Sequence, residues 1–307
     1  MGDDYEPYEW QVGDPADWGD SVGVPDIPYM GYIDGDDGDD DGWEPPRNSR
    51  SSRVKELIDR ALNLMDQRRH WEAVALINMA IEEYPNDSDL YNVRAIIWED
   101  KGEFEHALHD YDRSLRMYDS QIVKNNKAHL LWMMSNDEKY YTENFDKALA
   151  YINEALKLTA DEDDRKKYLC SKGNILEFMG KELDSKICFL LASEKYDMIE
   201  KLEKQAETLK NSKDTLICIT GTKYYEQENP LKEGTIVNLV REPKNEHDPD
   251  AIRVEMNGKP VGYVANSQMT LIDEAKSASE IKDIIKDNQK AEIMFTYLDW
   301  HIVAKII

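Results

Sequence analysis

The chain has 307 residues, of which 33% are charged, and its formal net charge at pH 7 is −25. This length suffices for two domains and a tail. The acidic balance argues against a protein that coats nucleic acid along its backbone, because such proteins carry a basic footprint. The sequence has no apolar run of signal-peptide or membrane-spanning length, so it predicts a soluble, cytoplasmic protein with no membrane partner.

The first segment, residues 1–53, is predicted to be a disordered acidic tail. It contains three Lys and Arg against 15 Asp and Glu, and it shows no apolar period. Aromatic residues are spread through it: Tyr5, Tyr8, Trp10, Trp18, Tyr29, Tyr32 and Trp43. Three roles fit this acidic-aromatic pattern. The tail could mimic nucleic acid at the protein's own binding site, recruit a partner, or solubilise the chain.

The middle segment, residues 54–213, is predicted to be helical and repetitive. Small and apolar residues recur 34 residues apart, since Ala61, Ala73, Ile77 and Ala80 are followed by Ala95, Ala107, Tyr111 and Ser114. Small residues are needed where two helices cross closely. In the third repeat Ala107 and Ala148 are 41 residues apart, which predicts about seven extra residues in its first helix or in the connection.

The fourth repeat contains Gly173 and Phe189, and Glu194–Asn211 is predicted to be a polar helix that caps the stack. This pattern resembles the tetratricopeptide repeat (TPR). The resemblance implies an all-α solenoid whose concave groove binds a protein partner. The groove residues that it implies are Asn92, Glu99, Asn174 and Glu177. Alternatively, the array only separates the tail from the C-terminal domain.

The last segment, residues 214–307, is predicted to contain about six short strands, enough for a small barrel. These strands are Leu216–Thr220, Thr235–Arg241, Ala251–Met256, Lys259–Val264, Ala291–Leu298 and His301–Ile307. Asn257-Gly258 fits a type I′ turn, and a second turn is predicted over Asp299-Trp300. The polar loop Glu242–Asp250 is expected to display its side chains at the surface.

This segment resembles the HIRAN domain. The residues that carry the resemblance are Gly221, Lys223, Tyr224 and Tyr225, then Leu239–Asn245, Asp248, Ala251-Ile252, Val254 and Val261-Gly262-Tyr263. The resemblance implies an OB-like β-barrel with short helices that binds single-stranded DNA at a free 3′-hydroxyl end, with a role in DNA repair or replication stress.

The resemblance also implies which residues contact DNA: Lys223, Tyr224, Tyr225, Arg241, Asn245, His247 and Asp248. Tyr224 would stack on a base, and Asp248 would accept a hydrogen bond from the 3′-hydroxyl. His247 departs from the family, in which tyrosine is common at this place. The loop has a second interpretation, in which Arg241, Glu242, Pro243 and Asn245 serve only to form the turn.

The charge of residues 214–307 limits how DNA could bind. They contain 11 Lys and Arg against 16 Asp and Glu, and the cations expected near the site are Lys223, Lys232, Arg241, Lys244 and Arg253. Binding along the DNA backbone is therefore expected to be weak and to depend on the strand end.

No catalytic motif is present in the sequence. It lacks a phosphate-binding P-loop, an HExxH motif, a nucleophile elbow and paired cysteines with zinc spacing. Asp37, Asp39 and Asp41 open an EF-hand-like pattern, but the twelfth position is Asn48, so calcium is not predicted. Cys170, Cys188 and Cys218 are predicted to be buried thiols. We therefore expect no enzyme activity, no cofactor and no metal.

Together these features predict a multidomain α + β adaptor. A disordered tail precedes a TPR-like solenoid at 54–213 that binds a protein partner, and a HIRAN-like barrel at 214–307 binds single-stranded DNA. The alternative is a protein interaction scaffold whose barrel no longer binds DNA and whose acidic tail regulates it.

Overall fold

The computed structural model describes residues 52–225, 231–286 and 288–307. All but the last two residues of the predicted acidic tail, with its EF-hand-like pattern, lie outside these ranges. The chain divides into two compact units, Met1–Glu162 and Asp163–Ile307. No helix within the described ranges is long and apolar enough to cross a membrane.

Helices in three successive pairs make up the described part of the first unit. They are α1 (Ser52–Asp66), α2 (His70–Glu83), α3 (Ser88–Asp100), α4 (Phe104–Met117), α5 (Gln121–Tyr140) and α6 (Phe145–Leu158). The two helices of each pair pack together, and the first helices α1, α3 and α5 are neighbours. This is the arrangement that the 34-residue period predicts. Three further helices follow: α7 (Glu162–Phe178), α8 (Glu182–Ala192) and α9 (Tyr196–Asn211).

The small residues predicted at helix crossings are fully buried: Ala61, Ala73, Ala95, Ala107 and Ala148. The third repeat owes its irregularity to its first helix, because α5 has 20 residues whereas α3 has 13. Ser135 is the small residue of α5 that meets α6. Its hydroxyl donates a hydrogen bond of 2.8 Å to the carbonyl of Ala148.

The prediction of three buried thiols is wrong for Cys170, which is exposed, whereas Cys188 and Cys218 are buried. Successive helical residues differ by about 100°. Cys170 therefore points away from the face on which Tyr168 is buried. Burial raises the pKa of the Cys188 and Cys218 thiols.

The second unit contains a closed barrel with the six predicted strands. They are β1 (Leu216–Thr220), β2 (Ile236–Arg241), β3 (Ile252–Met256), β4 (Lys259–Val264), β6 (Gln289–Tyr297) and β7 (His301–Ile306). Their antiparallel order is β1–β4–β3–β2–β6–β7, and β7 pairs with β1 to close the barrel. A two-residue strand that the sequence did not predict, β5 (Ala275–Lys276), pairs in parallel with β1. The short helix α10 (Ala278–Ile281) follows β5.

The two predicted hairpin turns are present. Asn257 and Gly258 have φ angles of 52° and 75°, as a type I′ turn requires. In the second hairpin the positive φ angles belong to Leu298 and Asp299, at 49° and 69°, so this turn is centred one residue earlier than predicted.

Helix α9 covers one side of the barrel. Ile217 and Ile219 of β1 belong to the barrel interior. Leu216 and Cys218, which alternate with them, cluster with Val303 of β7 and with the apolar face of α9. The predicted border at 213/214 therefore lies inside this compact unit, and as a domain limit it remains a prediction.

A glycine makes the β1–β4 pairing possible. A Cβ atom on Gly262 would lie 2.8 Å from the carbonyl oxygen of Thr220 and 3.0 Å from a side-chain carbon of Ile219. Both atoms belong to a central strand that cannot shift without loss of ladder hydrogen bonds. We expect Gly262→Ala to lower the free energy of unfolding by about 2–3 kcal/mol, measured by urea denaturation of the full chain.

The control for this substitution is Gly258→Asn. Gly258 has open space around it and a φ of 75°, which asparagine tolerates. We expect this control to change the stability by less than about 1 kcal/mol. Equal destabilisation by the two variants would contradict the role given to Gly262.

Candidate functional site

A network of polar side chains centres on Glu242, the residue that follows β2. Its Oε2 atom accepts hydrogen bonds from the hydroxyl of Tyr263 at 3.1 Å and from Nδ2 of Asn245 at 3.0 Å. Its Oε1 atom accepts a hydrogen bond from Arg253. Arg253 and Tyr263 are cross-strand partners on β3 and β4. One partly buried carboxylate thus joins the polar loop to two neighbouring strands.

Arg253 is neutralised within this network. Its guanidinium also donates to Oε1 of Glu255 at 2.9 Å from Nε and 2.7 Å from Nη2. The hydrogen bonds that Arg253 donates to Glu255, together with the nearby negative charges, raise the pKa of Arg253. Two carboxylates surround one cation, so the group carries a net negative charge. Arg253, expected from the sequence to be a cation near the site, is therefore held by Glu242 and Glu255 and not presented to a phosphate.

Tyr263 connects the network to the segment that follows β1. Burial, together with hydrogen bonds to Tyr225 and Glu242, raises the pKa of Tyr263 to about 12. Gly221, with a φ of 75°, and the short 3₁₀ turn Thr222–Tyr224 bring the chain to this position. The two stretches Gly221–Tyr225 and Glu242–Asn245, far apart in sequence, therefore meet beside β4.

Tyr224 lies at the surface of this assembly. Its side chain is 77% exposed, and the ammonium nitrogen of Lys223 lies 5.1 Å from the centre of its ring. Lys223 is also exposed. The neighbouring Tyr225 is partly buried, so the two adjacent tyrosines have different roles. Tyr225 anchors the turn, and Tyr224 is exposed to solvent.

The polar loop is shaped by its own side chains. Oδ1 of Asn245 accepts hydrogen bonds from the backbone N–H groups of His247 at 3.0 Å and Asp248 at 3.2 Å. Oδ1 of Asp248 accepts one from the backbone N–H of Asp250 at 2.8 Å. His247 itself is exposed. Asn245 therefore forms a turn, as the second interpretation of the loop expects, and its contact with DNA remains a prediction. A shallow depression of about 440 Å³ lies against Glu242–Glu246.

A second polar cluster fastens the end of this loop. Oδ2 of Asp248 accepts from Nδ2 of Asn266 at 2.9 Å. Asp250 accepts from Lys282 Nζ at 2.7 Å and from the Ser279 hydroxyl at 2.8 Å, and these two hydrogen bonds lower the pKa of Asp250. The Ser279 hydroxyl also lies 2.8 Å from Oδ1 of Asn266. Residues around α10 thus clamp the loop.

Sequence reasoning missed this clamp, because its residues lie far from the loop in the chain. One local signal was available: Ser277 and Glu280 form a capping box that starts α10. Hydrogen bonds from the Ser277 backbone and from Lys276 lower the pKa of Glu280 to about 2. Arg241, predicted to contact DNA, is exposed at the same place and donates to the carbonyl of Lys282 at 3.2 Å.

Residues 214–296 match the HIRAN domain family, and this match identifies the type of barrel. Residues 214–296 form a HIRAN domain. This match indicates a nucleic-acid-binding module at residues 214–296. Among the described residues, no group of three His, Cys, Asp or Glu side chains is placed to hold a metal ion.

The seven predicted DNA-contact residues lie in two groups around the HIRAN domain's Glu242 network. Lys223, Tyr224 and Tyr225 form the turn after β1, and the others lie at the end of β2 and in the loop: Arg241, Asn245, His247 and Asp248. The structure brings the two groups together through Tyr263 and Glu242. Their contact with DNA remains a prediction.

The chain is similar to a DnaJ protein P58IPK homolog A from Oryza sativa subsp. japonica, at 27% identity over 176 residues. The match covers 55% of this chain and 33% of that protein, so the chain spans about a third of the length of the curated relatives it matches. Among solved structures, MamA is 16% identical with a TM-score of 0.35, over 48% of this chain and 81% of MamA. YrrB, described as a TPR protein with an unusual peptide-binding site, is 18% identical with a TM-score of 0.33, over 53% of this chain and 89% of YrrB.

The four predicted groove residues fall in both compact units. Asn92 on α3 accepts a hydrogen bond from Asn126 at 3.3 Å. Glu99 is only 7% exposed, and its carboxylate accepts from the Tyr111 hydroxyl at 2.7 Å and lies 2.8 Å from His129 Nδ1. On α7, Asn174 is partly buried and Glu177 is exposed. Their contact with a partner remains a prediction.

The Glu242 network predicts a stability effect. Glu242→Gln removes the charge that faces Arg253 and leaves an amide that cannot accept from all three partners. We expect it to lower the free energy of unfolding by about 1–2 kcal/mol, since the ion pair is only partly buried. Hydrogen exchange of the backbone amides 243–250 should become faster at the same time.

Glu246→Gln is the matched control, because Glu246 lies in the same loop and is exposed. We expect no measurable change in stability or in hydrogen exchange from this control. Unchanged loop exchange in Glu242→Gln would show that Glu242 does not hold the loop.

Proposed function

We propose that this chain is a non-enzymatic adaptor. Its HIRAN domain binds the free 3′-hydroxyl end of single-stranded DNA, and its TPR-like array binds a protein partner. In this proposal it acts in a reducing, cytosolic compartment, where free thiols such as Cys170 persist, and in a process that handles DNA ends, such as repair or replication under stress.

The observation that carries the proposal is the exposure of the Tyr224 side chain on an anchored turn. An aromatic side chain that is 77% exposed gains nothing from burial in the fold, yet the turn beneath it is anchored through Tyr225, Tyr263 and Glu242. Stacking of a base on an aromatic ring stabilises a complex by about 1–3 kcal/mol and does not depend on sequence. Lys223 beside the ring supplies a positive charge for the adjoining phosphate.

The charges of the site favour binding of a DNA end over binding along a long stretch of the DNA backbone. Arg253 is neutralised by Glu242 and Glu255, and Lys282 by Asp250. Lys223 remains beside the exposed ring of Tyr224. A site with few available cations releases few counterions on binding, so its affinity should depend only weakly on salt.

Asp248 supplies the proposed end selectivity. Each of its carboxylate oxygens accepts one hydrogen bond within the protein, from Asp250 and from Asn266, and each retains a second lone pair. A terminal hydroxyl can donate to such an oxygen. A terminal phosphate would instead place a second anion against the carboxylate, which costs free energy.

The second candidate function is a protein interaction scaffold whose HIRAN domain does not bind DNA. The neutralised Arg253 and the net charge of −5 over residues 214–307 favour it. The two candidates differ in whether the full chain binds a short single strand at low salt, where contacts to phosphate are strongest.

Tyr224→Ala tests the stacking. We expect it to weaken binding of a short fluorescent single strand by about 5- to 150-fold, which corresponds to the loss of one stacked base. Fluorescence anisotropy of the full chain at two salt concentrations measures this. Tyr196→Ala is the control, since Tyr196 is 63% exposed on α9 and lies outside the proposed site. Equal affinities of wild type and Tyr224→Ala would favour the scaffold.

Asp248→Asn tests the end selectivity. The substitution removes the charge and keeps an oxygen that can accept from the backbone of Asp250. We expect wild type to bind a strand with a 3′-hydroxyl more tightly than one with a 3′-phosphate, because two anions repel. The variant should bind both strands with similar affinity. A wild type that does not distinguish the two ends would contradict the role of Asp248.

A further inference from the structure

The outward face of α2 carries an apolar stripe. Trp71 is 66% exposed and Met79 is 67% exposed, and Ala75 between them is also exposed. Residues spaced by four lie on one line of a helix, so the stripe is about 12 Å long. The other face of α2 already fills the core with Ala73 and Ile77.

The repeats themselves provide an internal comparison. At the equivalent positions, 34 residues later, α4 has Glu105, His109 and Arg113, all exposed. At positions 41 residues beyond those of α4, α6 has Asp146, Ala150 and Glu154. The repeat fold therefore does not require large apolar residues at these positions. Contiguous exposed apolar surface of this kind marks an interaction site.

Neighbouring side chains fix the orientation of Trp71. Its ring lies edge-on to that of Trp98, with centroids 5.7 Å apart at 84°. The ammonium nitrogen of Lys101 lies 4.3 Å from the centre of the Trp71 ring. Since the side chain is still 66% exposed, a held indole ring is presented to a ligand. A held side chain loses less entropy on binding than a mobile one.

We propose that residues 22–33 of the same chain cover this stripe. Their sequence, VGVPDIPYMGYI, contains seven apolar residues and a single acidic one, Asp26. The other acidic residues of the N-terminal segment lie outside it. This piece is therefore the part of the segment whose composition is suited to an apolar surface.

The length of the connecting chain supports this occupant. Residues 34–51 lie between Ile33 and the start of α1, and 18 residues can span up to about 60 Å. Helix α1, which packs against α2, has 15 residues and is about 22 Å long, so the stripe is within reach. A tethered segment has an effective concentration of about 1 mM. Even a dissociation constant of about 0.1 mM would then keep the stripe covered about 90% of the time.

Methionine oxidation tests the proposal on the full chain. Dilute hydrogen peroxide converts accessible Met to its sulfoxide, and mass spectrometry of peptides gives each rate. Met79 at 67% exposure and Met269 at 84% should react at similar rates if both were open. We expect Met79 to react about tenfold more slowly than Met269, as 90% coverage implies.

A tail variant with Val24→Ser, Ile27→Ser and Tyr29→Ser should bring the rate of Met79 close to that of Met269. The matched control, Tyr5→Ser with Tyr8→Ser, changes aromatic residues elsewhere in the tail and should leave Met79 protected. Protection of Met79 that persists in the first variant would show that another segment covers the stripe and would overturn the proposal.

The reciprocal variant, Trp71→Glu with Met79→Arg, places on α2 the residue types that α4 has at the equivalent positions. Both side chains are largely exposed, so the fold should tolerate them, which circular dichroism checks. Met30, within the proposed segment, should then oxidise faster by about tenfold. Glu105→Ala on α4 should leave Met30 unchanged. An unchanged Met30 rate in the α2 variant would contradict the proposal.

Two further outcomes would assign the stripe to another occupant. If wild-type Met79 oxidises as fast as Met269, the stripe is open in the purified chain and is available to a different protein. If Met79 is protected only at concentrations where sedimentation shows a dimer, a second copy covers it. All these measurements are made without DNA, so their outcome is independent of the proposed role of the HIRAN domain.

Discussion

Glu242 accepts hydrogen bonds from an arginine, an amide and a phenol that belong to different parts of the barrel. Through Tyr263 the same network reaches Tyr225, which anchors the turn that displays Tyr224. The exposed aromatic ring therefore belongs to a turn that is already ordered before a ligand binds. Binding to such a site costs less entropy than binding to a flexible loop.

This arrangement uses part of the site's charge within the protein. Arg253 forms ion pairs with two carboxylates, and Asp250 forms an ion pair with Lys282. The internal pairs set the shape of the loop, and Arg253 and Lys282 are not available to a ligand. A domain built in this way is suited to a short, defined feature of a ligand, because recognition of a long polyanion needs many free cations.

Local patterns allowed much of the fold to be predicted. The alternation of apolar residues gave the six main strands, and the 34-residue spacing of small residues gave the helix pairs, because these signals depend only on neighbours in the sequence. The extra residues between Ala107 and Ala148 were also visible, although only the structure shows that they lengthen α5.

The site was less predictable than the fold. The stretches Gly221–Tyr225 and Glu242–Asp250 were predicted to contact DNA, and the structure places them together. The sequence could not show that Arg253 is neutralised or that Asn266, Ser279 and Lys282 clamp the loop, because these contacts depend on how distant segments pack. The exposure of Cys170 was missed for a related reason, since only the packing of α7 determines which of its faces is covered.

Helix α9 and the barrel share an apolar cluster, and only residues 212–215 separate the end of the helix from β1. A barrel cut out at residue 214 would present Leu216, Cys218 and Val303 to water, and self-association would be its simplest way to bury them. The same exposure of apolar residues would follow if recombination separated the barrel from α9. The unit that can be moved intact to another protein, by recombination or by design, is the barrel together with the helix that precedes it.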